Sequence, residues 1–270
     1  VSETEYLERR LRLFESLRGL ESLAVAYSGG VDSAVLLHAA TQVIGNRAVG
    51  VIADSPSLPR RELAEALELS RSMGARTEVI ATAELEDERY RANSGDRCYW
   101  CKTHLFQAME PWARARGFSA LAFGEVTDDW LDHRPGARAA REFGVIAPLS
   151  AAGLSKDDVR RYAREAGLAV ADKPASACLA SRLPVGTRVD RARLERVERS
   201  EEQLKRLGLA VLRVRDHFPK ARVELGAQEW TRLEALRQEI EALLSQEGFS
   251  EFEYARYRSP AERAESRGMS

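Results

Sequence analysis

Leu23-Ala24-Val25-Ala26-Tyr27-Ser28-Gly29-Gly30-Val31-Asp32-Ser33 is the stretch that decides the fold. Its first five residues read as a buried strand, and an apolar run with helical spacing continues to residue 44. The hinge between them holds two glycines flanked by serines. Glycine lets the backbone come close to an anion, and the free N–H groups of the new helix face it with the positive end of their dipole. Ser28 and Ser33 add hydroxyl donors, so a polyphosphate fits the turn. Asp32 would repel a bare phosphate but suits a Mg2+ that bridges phosphate oxygens, because hard cations take oxygen ligands.

Outward from this turn, apolar runs at 23–27, 48–53, 76–81, 120–123 and 144–147 read as buried strands. Helical patterns lie between them at 31–44, 59–73, 101–116 and 155–166, the last opened by Ser155 and Asp158 in a capping box. Such alternation predicts an α/β fold, a doubly wound parallel sheet covered by helices on both faces. Ligands of these sheets bind beyond the carboxyl ends of the strands. After 183 the rhythm changes to helix 191–207, strands 210–215 and 221–225, helix 227–246 and strand 251–258, a smaller C-terminal α+β domain. Leu183-Pro184-Val185-Gly186 sets the cut, giving domains at 1–183 and 184–270, and the chain from 259 reads as a frayed tail.

Composition narrows the function classes. A hydrophobic fraction of 44% with 31% charged residues excludes wholesale disorder. The 41 Lys and Arg against 42 Asp and Glu give a net charge of −1, with no basic arm, which argues against a nucleic-acid partner. The charged stretch Glu5 to Leu11 and the lack of a bilayer-length apolar run predict no membrane span and a cytoplasmic location. The Gly-x-x-x-x-Gly-Lys-Ser/Thr of P-loop NTPases and the Gly-x-Gly-x-x-Gly of dinucleotide enzymes are missing from the hinge.

Three cysteines form an odd set, which argues against a secreted disulfide framework. Cys98 and Cys101 form a Cys-x-x-Cys, and Cys178 stands far away. Four readings compete. In the first the thiols are inert core groups, and in the second Cys98 and Cys101 are a redox pair that leaves Cys178 unexplained. His104 could complete a four-ligand zinc site. Three thiolates could also hold three corners of a 4Fe-4S cluster, leaving one iron open for a sulfide.

The Ser28 to Ser33 string resembles the loop of the PP-loop ATP pyrophosphatase family. Three further motifs narrow the resemblance: Arg97-Cys98-Tyr99-Trp100-Cys101-Lys102, Asp128-Asp129-Trp130-Leu131-Asp132-His133-Arg134 and Asp172-Lys173-Pro174-Ala175-Ser176-Ala177-Cys178-Leu179-Ala180-Ser181-Arg182. Together they are similar to the LarE family of sulfur transferases, from the first strand to about Arg215.

The resemblance implies an enzyme that adenylates a carboxylate of pyridinium-3,5-biscarboxylic acid mononucleotide and turns it into a thiocarboxylate for the nickel-pincer nucleotide cofactor of lactate racemase. It implies ATP and Mg2+, with Ser28, Gly29, Gly30, Val31, Asp32 and Ser33 on the pyrophosphate and Asp54 near the adenosine. Cys98, Cys101 and Cys178 match the branch associated with a 4Fe-4S cluster; the other branch keeps a single sacrificial cysteine. Asp129 and Arg134 are expected at Mg2+ or substrate, although Asp128, Asp129 and Asp132 read equally well as caps or solvated charges. Ser181, Arg182 and Glu201 are placed with the binding residues. Arg213 and Arg215 alternate on one strand face, as a phosphate clamp requires, and resemble positions that hold the substrate phosphate.

The chemistry agrees with that branch. A carboxylate is a poor acyl electrophile until it becomes a mixed anhydride, from which AMP leaves readily before a sulfur nucleophile. The expected partners are the small-molecule nucleotide substrate, a sulfide donor, enzymes of the nickel-pincer pathway and further copies of the chain in a homo-oligomer. A PP-loop tRNA thiolase and a nucleotide- and zinc-binding regulatory protein are the alternatives; steep salt dependence would mark the first.

Overall fold

The structure is a computed structural model that describes residues 2–130, 135–174 and 177–258. The chain divides into two compact units, Val1–Ser176 and Ala177–Ser270, a few residues before the cut that Pro184 suggests. The expected tail from 259 lies outside the described residues.

The first unit runs α1 (Glu3–Arg18), β1 (Leu23–Ala26), α2 (Val31–Ile44), β2 (Ala48–Asp54), α3 (Arg60–Ser72), β3 (Thr77–Ala81), α4 (Glu88–Arg91), α5 (Arg97–Ala115), β4 (Ala120–Phe123), α6 (Pro135–Glu142), α7 (Pro148–Ala151) and α8 (Lys156–Glu165). Its four strands are parallel, in the order β3-β2-β1-β4. Alternation along the strands splits the core in two, since successive side chains point to opposite faces. Leu23 and Val25 of β1 pack with Leu13 and Leu17 of α1, Val35 of α2, Ala66 of α3 and Val159 of α8. Ala24 and Ala26 pack with Phe106 and Met109 of α5 and Ala139 and Ala140 of α6. Both faces are therefore covered, which is why every residue of β1 is buried.

The fifth strand expected at 144–147 shrinks to one parallel bridge, Ala122 with Ile146. Gly144 turns the chain in at φ 62° and Pro148 opens α7, leaving room for little more. Helix α5 starts at Arg97 instead of 101, because Gly95, in the left-handed region at φ 95°, redirects the chain just before it. The opening charged stretch belongs to α1, where Ser2 and Glu5 form a capping box.

The second unit holds α9 (Arg191–Arg206), β5 (Leu212–His217), β6 (Lys220–Leu225), α10 (Ala227–Trp230), α11 (Leu233–Gln246) and β7 (Glu251–Arg256). β5 and β6 form an antiparallel hairpin, and β7 joins β6 in parallel. Leu204, Leu212, Val214, Val223, Ile240 and Leu244 fill the core under this sheet. The single helix expected at 227–246 breaks before Leu233. Arg232 turns there to donate to the carbonyls of Leu207 and Gly208, and buried Glu229 accepts the amides of Ala210 and Val211. Among the described residues no helix is long and apolar enough to cross a membrane.

Candidate functional site

Sheet order reverses between β1 and β4, and the turns after these two strands meet there. Gly30 caps α2 with extended backbone and no side-chain cap, so the first N–H groups of α2 receive no acceptor from it. Gly29 sits at φ 72°, and a Cβ on it would come 2.6 Å from Ala66 Cβ of α3, so both backbone and packing require glycine. Ser33 Oγ accepts from Ser28 N at 3.2 Å and donates to Gly30 O at 3.1 Å. The two hydroxyls also lie 3.2 Å apart, a contact in which either can be the donor. Both hydroxyls expected to face a phosphate thus have hydrogen-bond partners within the loop.

Asp32, expected at Mg2+, is held by Lys156, whose Nζ lies 2.7 and 2.6 Å from its two oxygens. Nothing in the motifs singled out Lys156; the Ser155 capping box that puts it at the start of α8 was the available signal. Asp128 Oδ2 accepts the Lys156 amide at 2.7 Å, so Asp128 acts as a helix-start acceptor. Asp129 Oδ2 accepts from Val126 N at 3.2 Å, inside its own turn. Arg134, Asp132 and His133 lie outside the described residues. Asp54 ends β2 and accepts from Arg60, which also donates to Ser55 O and Leu58 O at 2.8 and 2.7 Å and so braces the turn into α3. A cavity of about 350 Å3 opens beside Gly29, lined by Glu65, Leu69, Val170 and Lys173. Lys173 crosses its wall to Glu62 and Glu65 at 2.6 and 2.9 Å.

The Cys-x-x-Cys lies on the first turns of α5, with Cys98 exposed, Cys101 half-buried and neither in a disulfide. Burial holds the Lys102 ammonium below the ordinary lysine value, while the Cys101 and Cys98 thiols beside it pull the other way. His104 Nε2 is engaged with Asp87 Oδ2 at 2.9 Å, so the zinc ligand proposed for it has another partner. The hydrogen bonds of Arg89, and then that of His104, outweigh burial, which pushes the other way, and hold the Asp87 carboxyl well below the usual range. Arg89 stacks 3.8 Å over Trp100 and Arg138 3.7 Å over Tyr99, so each ring already has a cation on one face. Among the described residues no three His, Cys, Asp or Glu side chains gather as a metal site. The first unit by itself thus offers two thiols outside any disulfide beside a lysine, two of the three thiols that the expected cluster requires.

In the second unit Cys178 precedes the short 3-10 turn Leu179–Arg182. Arg182, 3% exposed, organises this segment. Its guanidinium forms a fork on Glu201 at 2.9 and 3.0 Å and donates to Cys178 O at 3.0 Å, to Ser181 Oγ at 3.2 Å and to Ala177 O. Glu201 also accepts Val214 N at 3.0 Å, which ties α9 to β5. Glu201 and Arg182, expected to bind ligand, are thus partners of each other. Arg215 is likewise forked on Glu224 at 2.8 and 2.7 Å and donates to Ser181 O at 2.9 Å. Arg213 differs: its Nη1 donates to Leu212 O at 2.7 Å, and among the described residues no carboxylate pairs with it. Burial, and then the cations of Arg182 and Arg215, press its pKa below the ordinary arginine value. Of the two clamp candidates, Arg213 is the one without a carboxylate fork among the described residues; Glu201 attracts it through space and its guanidinium lies 5.3 Å from the Tyr257 ring centre.

No family model matches the chain. It is 39% identical over 224 residues to the uncharacterized protein slr1717 of Synechocystis sp., a match covering 83% of this chain and 84% of that one. It is 33% identical over 218 residues to the pyridinium-3,5-bisthiocarboxylic acid mononucleotide synthase of Lactiplantibacillus plantarum, covering 80% and 79%. A fainter likeness, 26% over 183 residues, links 62% of the chain to 58% of a glutamine-hydrolyzing GMP synthase component of Methanoculleus marisnigri. With the glycine turn at the sheet reversal and the second match spanning four-fifths of its length, the chain belongs to the LarE family, which includes that synthase of Lactiplantibacillus plantarum.

Proposed function

We propose that the chain is an ATP-dependent sulfur transferase acting on pyridinium-3,5-biscarboxylic acid mononucleotide. A substrate carboxylate oxygen attacks the α-phosphorus of ATP, pyrophosphate leaves, and a mixed acyl-adenylate forms. A sulfur anion then attacks the acyl carbon and AMP departs, leaving the thiocarboxylate. The observation that carries this reading is the similarity to the synthase over most of both chains. The glycine turn and bare α2 start supply N–H donors for the pyrophosphate, and Asp32 is the carboxylate to hold Mg2+ there. Asp54 would border the adenosine, and Arg213 would take the phosphate of the substrate nucleotide.

Cys98, Cys101 and Cys178 are the residues that would hold a 4Fe-4S cluster, and such a cluster when bound supplies a sulfide at its open iron. Lys102 beside the thiol pair favours negative charge at that end, and Arg182 fixes the carbonyl of Cys178. Asp129, Arg134 and Ser181 stand as substrate-site residues in the same reading. A homo-oligomer in the cytoplasm, served by a sulfide donor and by other nickel-pincer enzymes, completes the proposal.

The test is to mix the protein with Mg·ATP and the biscarboxylate nucleotide and to follow AMP and pyrophosphate. Release that requires both substrates is expected. No release, or release indifferent to the nucleotide, contradicts the reading.

A further inference from the structure

Lys156 joins two acidic turns. Its backbone amide donates to Asp128 Oδ2 at 2.7 Å, while its ammonium meets Asp32 Oδ1 and Oδ2 at 2.7 and 2.6 Å. Asp32 follows β1 and Asp128 follows β4, the strands at which the sheet order reverses. The base of the side chain is firmly placed. Ser155 and Asp158 cap α8 reciprocally, and Arg9 of α1 fixes Asp158 at 2.8 Å. The tip is not enclosed: the Lys156 and Asp32 side chains are 35% and 25% exposed. An ion pair this open adds little to fold stability, so its consequence lies in the charge it sets beside the loop.

That charge poses a problem for the loop. An ionised Asp32 at the start of α2 repels a polyphosphate, yet the same carboxylate is the hard oxygen donor a divalent cation needs. Lysine solves both halves in turn, since its ammonium is a compact charge on a flexible stem. With the loop empty it neutralises Asp32. A doubly charged ion at Asp32 outcompetes and repels a singly charged ammonium, and the released ammonium is left next to incoming phosphate oxygens.

We infer that Lys156 is a partner-changing counter-ion of the site: it shields Asp32 in the empty protein, yields it to the divalent cation, and then binds the polyphosphate itself. This rests on the nucleotide-loop reading proposed above. No covalent step is involved, and the exchange conserves all charges.

The test compares wild type with Lys156→Met and Lys156→Arg in the full chain, using Mn2+ alone and magnesium pyrophosphate as probes in calorimetry. Lys156→Met should bind Mn2+ about fivefold more tightly, because Asp32 is no longer neutralised, and magnesium pyrophosphate about tenfold more weakly, because one charge-assisted contact is gone. Lys156→Arg should keep most of the pyrophosphate affinity. Adding Asp32→Asn should abolish the Mn2+ gain of Lys156→Met. The opposed directions are the signature, since a partly unfolded variant would bind both probes less. Pyrophosphate bound by wild type and Lys156→Met alike, or both affinities moving together, overturns the inference alone. A wild type that binds no magnesium pyrophosphate overturns the loop reading and the inference with it.

Discussion

Gly124 lies flat against the backbone of Ser33: a methyl group on it would stand 2.7 Å from the Ser33 amide nitrogen. The turn after β4 and the start of α2 are thereby brought into contact with no side chain between them. Because the obstacle is backbone, no rotamer change can relieve it. Gly124→Ala should lower stability by about 1–3 kcal/mol, as overpacking does. It should also cost more magnesium pyrophosphate affinity than that loss of fold alone would. Thermal unfolding and calorimetry on the same preparation check both, and an alanine variant that binds pyrophosphate normally would contradict the role given to this contact.

Arg182 and Glu201 form a buried fork, each under 5% exposed at the side chain. Removing one partner strands the other charge away from water. Arg182→Met should therefore cost about 3–5 kcal/mol in urea unfolding, and Arg182→Met with Glu201→Met should cost less than the sum of the single changes. The double variant still loses the acceptor of the Val214 amide, so it should not return to wild type.

Acid should unfold the first unit through identifiable carboxylates. Burial alone would raise the pKa of Asp158, but the Ser155 amide and hydroxyl and Arg9 outweigh it and hold the group below its ordinary 3.8. A carboxylate depressed in the folded state contributes its full stabilisation above its unfolded pKa and loses it as pH falls through the folded value. Glu65, held down by Arg61 and Lys173 against burial, follows the same sign. Asp158→Asn should be less stable than wild type at pH 7, with the gap closing as pH drops below about 4. A gap that is constant across that range would contradict the assignment.

The cluster proposed for the three cysteines predicts iron. Anaerobically purified protein should carry about four irons and four sulfides per chain, lost when Cys98, Cys101 or Cys178 is changed to Ser. Stoichiometric zinc, or iron that survives any of these changes, would remove the cluster from the account.

What the sequence disclosed and what it hid follow from the range of the forces involved. The β1 to α2 hinge was legible because a continuous apolar strand, two glycines and a helical run are local signals. The strand expected around Ile146 failed because local apolarity could not register that Gly144 and Pro148 leave one bridging position. Lys156 was hidden because its meaning comes from Asp32, which is far away in sequence. Arg182, Glu201 and Arg215 stood out in the sequence singly but not as members of ion pairs, since a cation's pairing with Glu201 or Glu224 is decided only when α9, β5 and β6 pack. Arg213 is told apart from Arg215 by the fork on Glu224 that Arg215 alone of the two makes.

The most direct measurement is the mass of the nucleotide after incubation with Mg·ATP and a sulfide source. Exchange of one carboxylate oxygen for sulfur, in step with AMP formation and abolished by Asp32→Ala, is the predicted result. A pyridinium nucleotide recovered unchanged while wild-type protein binds and consumes ATP would contradict the account at its centre.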